Sequence, residues 1–223
     1  MVKSMLRALS DWHQHRKQAD TDWKNWTYMV LDMETTGLDP KQHQVVSLGW
    51  VLVENGAILL DSAQHIVLQG AEIDPETVAI HMITDQDVEE LGRNQASVLR
   101  YLRQLIKGKV LVAHHAPIEL GFLKRLWGTQ PMPDLSVQWL DTLALERTKA
   151  ERKGAIIQEG GFRLGACRER YGLPDYNGHD ALTDALATAE LLLAQIAHQP
   201  TSPTLMELTK AGGGLTRLQS KST

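Results

Sequence analysis

Only one of the 223 residues is cysteine, two are phenylalanine, and the aromatic share is 5%. A single thiol, Cys167, excludes an internal disulfide and any multi-cysteine zinc cluster, so a buried, inert thiol is its default. No apolar run approaches the ~18 residues that a membrane span requires. The opening stretch MVKSMLRALSDWHQHRKQ has basic residues but no continuous apolar segment leading to a small-residue cleavage site. It does not read as a secretory signal, and the expected location is cytoplasmic. A surplus of positive charge is missing too. With 23 basic and 27 acidic residues the formal net charge is −4, which argues against a broad cationic surface for wrapping duplex nucleic acid. Nucleic acid at a small cleft is not excluded, because bound divalent cations add positive charge that a residue count does not see.

The rest of the composition, 43% hydrophobic and 22% charged, is that of a globular protein, and the length fits one domain of ~200–250 residues with short appendages. Residues 1–26 carry Met5, Leu6, Leu9 and Trp12 at helical spacing and read as an N-terminal helical extension. Three strand-like segments follow: TYMVLDME, QVVSLGWVLVE and AILLDSAQHIVL, the last two joined by Asn55-Gly56, a strong hairpin signal. Pro75 marks the start of a short helix, and QASVLRYLRQLI forms a longer amphipathic one. KVLVA (109–113) reads as a buried strand, PIELGFLKRLW as a helix with proline in its first turn, and VQWLDTLAL as a strand running into a helix. FRLGACRERYG is another helix, stopped by Gly172 and Pro174. The last helix, over about 180–197, repeats Leu182, Leu186, Ala189, Leu193 and Ile196 at +4, +3, +4, +3. Strands mixed with helices in this order predict an α/β fold with a sheet of mixed direction covered by helices. The main domain is thus expected over 27–198. Residues 199–223, rich in Pro, Gly, Ser, Thr and Lys, read as a flexible C-terminal tail.

Three places hold acids in unusual company. Asp32 and Glu34 end the first strand; at i and i+2 they share one face, ~6.6 Å apart along the strand. Either the strand has ended and both are solvated in the Gly37 turn, or the fold concentrates negative charge there for a purpose. Asp184 lies ~200° around the last helix from Leu182, off the buried stripe. His179, five residues earlier, can share its site only from the loop entering that helix, which the turn-forming Asn177-Gly178 allows. The alternative is that Asp180 caps the helix, Asp184 sits at its positive end and His179 is solvated. Glu119, in the first turn after KVLVA, is by itself an ordinary helix-start acid.

Taken in order, DMETTGL (32–38), AHHAPIELGFL (113–123) and His179 with Asp184 resemble the three motifs of the DEDD exonucleases. The closest likeness is to their histidine-bearing branch, which contains the proofreading epsilon subunit of bacterial DNA polymerase III and ribonuclease T. IDPETVAIHMITDQDV (73–88) and LDTLAL (140–145) extend the resemblance over about residues 27–198. It implies a ribonuclease H-like fold, a mixed five-stranded sheet flanked by helices. It also implies that Asp32, Glu34, Asp184 and Glu119 hold two divalent ions, Mg²⁺ or Mn²⁺, with His179 as general base. Met33, Thr35, Leu38, His81, His114 and His115 would meet the substrate. The chain departs from the family pattern at His115, where asparagine is usual, and at Glu119, where aspartate is usual. The extra methylene moves the carboxylate by ~1.5 Å, so Glu119 is expected to act through water or to favour a different ion, and Asp141 is its rival as fourth ligand.

The resemblance implies a 3′→5′ exonuclease releasing nucleoside 5′-monophosphates from single-stranded ends, with DNA favoured over RNA. An exoribonuclease of the same fold is the nearest alternative. A third reading is a binding subunit with weakened catalysis, tethered to a polymerase or other partner through the tail. A second copy of the chain is a further expected partner, and a membrane is not one.

Overall fold

The computed structural model describes residues 20–71 and 82–220. The expected helix over Met5–Trp12, the Pro75 helix and His81 lie outside the described residues.

The first strand, β1 (Tyr28–Thr35), is central and buried along most of its length. It pairs antiparallel with β2 (Val45–Glu54), which turns into β3 (Ala57–Val67). Asn55 and Gly56 take φ of 51° and 80°, the left-handed pair that a tight hairpin requires. Two helices follow: α1 (Asp85–Leu91), opened by a Thr84–Asp87 capping box, and α2 (Gln95–Ile106), capped by Asn94. The chain returns as β4 (Val110–Ala113), parallel to β1, and continues through α3 (Pro117–Gly128) to β5 (Leu135–Asp141), parallel to β4. Asp141 ends that strand and caps α4 (Thr142–Arg152). A short helix α5 (Leu164–Glu169) precedes the long α6 (Ala181–Ala197), which Asp180 caps through Thr183.

The expected mixed sheet is present, but it has six strands rather than five. The sixth comes from the segment read as a flexible tail. Residues there form α7 (Leu205–Gly212) and β6 (Gly213–Leu218), which pairs antiparallel with β5 and completes the order β3-β2-β1-β4-β5-β6. The three glycines of this segment, Gly212 to Gly214, are close-packing positions. A Cβ on Gly212 would lie 2.6 Å from the Leu145 amide nitrogen, and one on Gly213 would lie 2.3 Å from the Trp139 carbonyl oxygen. Thr204 and Glu207 form a reciprocal capping box that starts α7. Engaged in the sheet, residues 204–218 give no support to a tethering arm.

Side-chain alternation along β1 separates two cores. Met29, Leu31 and Met33 face one side with Leu99, Leu102, Phe122 and Trp127 from α2 and α3. Tyr28 and Val30 face the other with Ala189, Leu192, Leu205 and Leu208 from α6 and α7. The second face runs on into Asp32 and Glu34. Cys167 is buried, and burial pushes its thiol up to about 11, which keeps it protonated and inert.

Leu205, Leu208 and Leu218 are each almost completely buried. At ~1.5–3 kcal/mol per side chain, a chain ended at His198 should lose on the order of 5 kcal/mol. In a chain of this size that corresponds to a melting midpoint lower by at least ~10 °C, to be read by circular dichroism. An unchanged midpoint would restore the flexible-tail reading.

Candidate metal centre

The acidic end of β1 and the first turn of α6 meet because of a glycine. Asp32 pairs across the sheet with Gly49, and α6 rests on that position. A Cβ on Gly49 would lie 2.1 Å from the Ala181 carbonyl carbon and the Leu182 nitrogen. No side chain fits there, so the backbone of the helix sits directly on the sheet and carries Asp184 to β1. One oxygen each from Asp32, Glu34 and Asp184 lies within 4.8 Å of the others, the one such metal-sized group among the described residues. A register shift in the β1–β2 pairing falls between Glu34 and Thr35, ending the regular ladder at the cluster's edge.

His179 lies in the loop before α6, as the spacing required. It is exposed and left-handed (φ 71°), and its amide donates to Asp184 Oδ2 at 3.0 Å. The imidazole is close enough to favour the ionised form of Asp184. Tyr176, three residues earlier, brings its hydroxyl up to the same carboxylate while its ring stacks on the Arg168 guanidinium, 4.9 Å from the centroid. Arg168, itself buried, donates to the Ala187 and Pro174 carbonyls and pairs with Glu190, which ties the loop to α6. Asp180 is a cap, as the alternative reading had it, yet its charge also acts on Glu34 and Asp32.

Glu119 is buried beside this group. Its carboxylate is among the charges acting on Asp32, although it stands outside the tight trio. Asp141, its rival, uses Oδ1 to accept the amides of His115 and Leu143, both at 2.9 Å. It thereby caps α4 and steadies His115, which takes a left-handed φ of 77°.

Burial and mutual repulsion shape the protonation of the cluster. Asp32 is raised far above the usual carboxylate range by burial first, then by Glu119, Asp184 and Glu34. Burial and the Asp184 and Asp180 charges push Glu34 up to about 7, and Glu119 rises to about 8 by burial and the nearby Asp141. Asp184 is also raised by burial, opposed by the His179 amide. Among the described residues, two buried oxygens, Glu119 Oε2 and Asp184 Oδ1, have no hydrogen-bond partner; Tyr176 lies beside the latter without a well-aligned bond. Unpartnered buried carboxylate oxygens, gathered with others and with no sulfur in the set, fit a hard divalent cation.

The expected substrate-facing residues do not all converge. Met33 points into the opposite core, because alternation turns it away from Asp32 and Glu34. Thr35 donates its hydroxyl to the Gly37 carbonyl. His114 has both ring nitrogens engaged, with Thr142 Oγ1 and the Phe162 carbonyl, each at 2.8 Å; burial lowers its pKa, and it serves to hold the 162 segment. Leu38, 73% exposed, and the exposed His115 remain presented to solvent. The loop bearing Leu38 is fastened to α3 by Arg125, which donates to the Pro40 and His43 carbonyls. The sequence reading missed Gly49 and Tyr176. A glycine inside an apolar strand signals close approach, so the first was detectable; the second depends on how the loop folds back.

Known proteins resemble this chain. An exonuclease family model, RNase_T, matches residues 29–192. The PolC-type DNA polymerase III of Thermotoga petrophila is 32% identical over 175 residues, covering 78% of this chain and 12% of the polymerase. Its Thermotoga maritima counterpart is 31% identical over 193 residues, covering 86% and 13%. The chain thus spans a small part of those relatives. Among solved structures, Escherichia coli exonuclease I in complex with a dA16 oligonucleotide superposes with a TM-score of 0.63 at 18% identity, covering 78% of this chain and 41% of that one. Exonuclease X in complex with 5′ overhanging duplex DNA gives 0.58 at 23%, covering 82% and 99%. The shared fold is ribonuclease H-like.

Two outcomes are expected from this geometry. Glu34 and Glu119 titrate near 7 and 8 in the folded chain against an ordinary value of 4.5, so the folded state binds more protons than the unfolded state between those limits. In chelator, stability should therefore fall as pH rises through that window, and the melting-point gain from Mn²⁺ should be larger at pH 8 than at pH 6. A gain independent of pH would contradict the shifts. Gly49→Ala should displace α6 and weaken Mn²⁺ affinity at least ~10-fold, measured by calorimetry on the folded variant, because ligand distances tolerate only about ±0.2 Å.

Proposed function

The chain belongs to the exonuclease family, and from that premise we propose that it is a metal-dependent 3′→5′ exonuclease releasing nucleoside 5′-monophosphates from single-stranded DNA ends. The observation carrying this reading is the convergence of Asp32, Glu34 and Asp184 with His179 tied by its amide to Asp184.

Asp32, Glu34 and Asp184 would hold Mg²⁺ or Mn²⁺, two ions in this reading, with Glu119 supporting them from its buried position. When bound, such ions offset the negative charge of the phosphodiester and make a coordinated water a better nucleophile. His179, exposed at the lip of the cluster, would accept the proton of the attacking water, a task suited to an imidazole near neutral pH. Exposed in the loop before α6, it is open to an arriving strand end. Leu38 would pack against the terminal base, and His115 would face the backbone that follows. DNA is favoured by the names of the relatives, DNA polymerases, and by the oligonucleotide bound to exonuclease I. The net charge of −4 suits a substrate held at one charged cleft rather than along a basic track.

The test is a 5′-labelled single-stranded DNA incubated with Mg²⁺ or Mn²⁺. A ladder shortening from the 3′ end is expected, with none in chelator. Release of the label as a mononucleotide at the outset would overturn the direction. Asp32→Asn and Asp184→Asn should reduce turnover by at least ~10³-fold, and His179→Ala by roughly 10²–10⁴-fold, with the melting profile retained. Full activity in any of the three would remove that residue from the mechanism.

A further inference from the structure

A second cavity lies on the helical layer, away from the acidic cluster. It has a volume of about 490 Å³, within the ordinary range for small-ligand sites, and lies between α4, α6 and α7. Gln195, at its wall, stands eleven positions along α6 from Asp184, or ~16 Å of helix.

Two observations indicate what it takes. First, Lys149, Arg152, Lys153 and Lys210 all line it, in a chain whose net charge is negative. Arg152, Lys153 and Lys210 have no ion-pair partner among the described residues, and Lys149 donates to the Tyr171 hydroxyl at 2.7 Å. Of the acids nearby, Glu207 is occupied in capping α7, and Glu146 accepts from Arg170, Tyr171 and Gln195. Four cations around one cavity with little local compensation call for an anion. Second, the wall also offers Leu145, Leu208 and Ala211, an apolar surface that inorganic phosphate alone would not use.

We propose that this cavity binds a phosphate carrying an apolar body, a nucleoside monophosphate, with the phosphate at the Arg152, Lys153 and Lys210 rim and the base along Leu145, Leu208 and Ala211. The site is separate from the metal centre and does not depend on the nuclease reading.

Equilibrium dialysis of the full chain with adenosine 5′-monophosphate tests it, in chelator and again with Asp184→Asn, so that the metal centre takes no part. Saturable binding of one nucleotide per chain is expected in both. Adenosine alone and inorganic phosphate alone should each bind at least ~10-fold more weakly, since each keeps only one half of the contacts. An Arg152→Ala/Lys210→Ala variant, changed at exposed positions, should bind at least ~10-fold more weakly with its melting midpoint unchanged. Failure to saturate, loss of binding in chelator or in Asp184→Asn, phosphate binding as tightly as the nucleotide, or undiminished binding by the double variant would each overturn the proposal.

Discussion

Repulsion among carboxylates drawn partly or wholly out of water is the constraint around which this fold is arranged. Asp32, Glu34, Asp184 and Glu119 come from β1, α6 and α3, and each makes ionisation of the cluster harder. No core requires such a group; apolar side chains at these positions would pack at lower cost. Protons or cations must neutralise the charge. Hence the site's chemistry and its cost to the fold have the same origin.

Holding the cluster together is a matter of backbone contact as much as of side chains. At Gly49 a helix rests on a strand with no side chain between them, which fixes where Asp184 meets β1. The loop before α6 is pinned from beneath by buried Arg168, through the Pro174 carbonyl and the Tyr176 ring. Asp141 holds the turn at His115 and starts α4. These contacts come from groups that carry no part of the proposed chemistry, and they leave the acids little freedom to move apart when ionised.

Much of this was legible from residue order. Alternation put Asp32 and Glu34 on one face, Asn55-Gly56 set the hairpin, and the spacing of His179 from Asp184 required a loop position that the structure shows. What was not legible followed from contacts distant in sequence. Gly212–Gly214 have the composition of a linker, and only the partners Leu145 and Trp139 show them as packing residues that admit a sixth strand. His114 reads as a substrate contact until Phe162 and Thr142 take both its nitrogens. Met33 was assigned to the substrate by its place in a motif, although the same alternation that aligned its neighbours turns it into the opposite core.

The resemblance to exonucleases and the physical reading of the acids therefore meet at one claim: protons occupy the cluster until a divalent cation displaces them. Calorimetric titration of Mn²⁺ into the chain at pH 7, repeated in buffers of different ionisation enthalpy, measures that displacement. The account predicts a net release of about one proton or more per chain. Binding with no proton released would show that the carboxylates are already ionised in the folded chain and would contradict it.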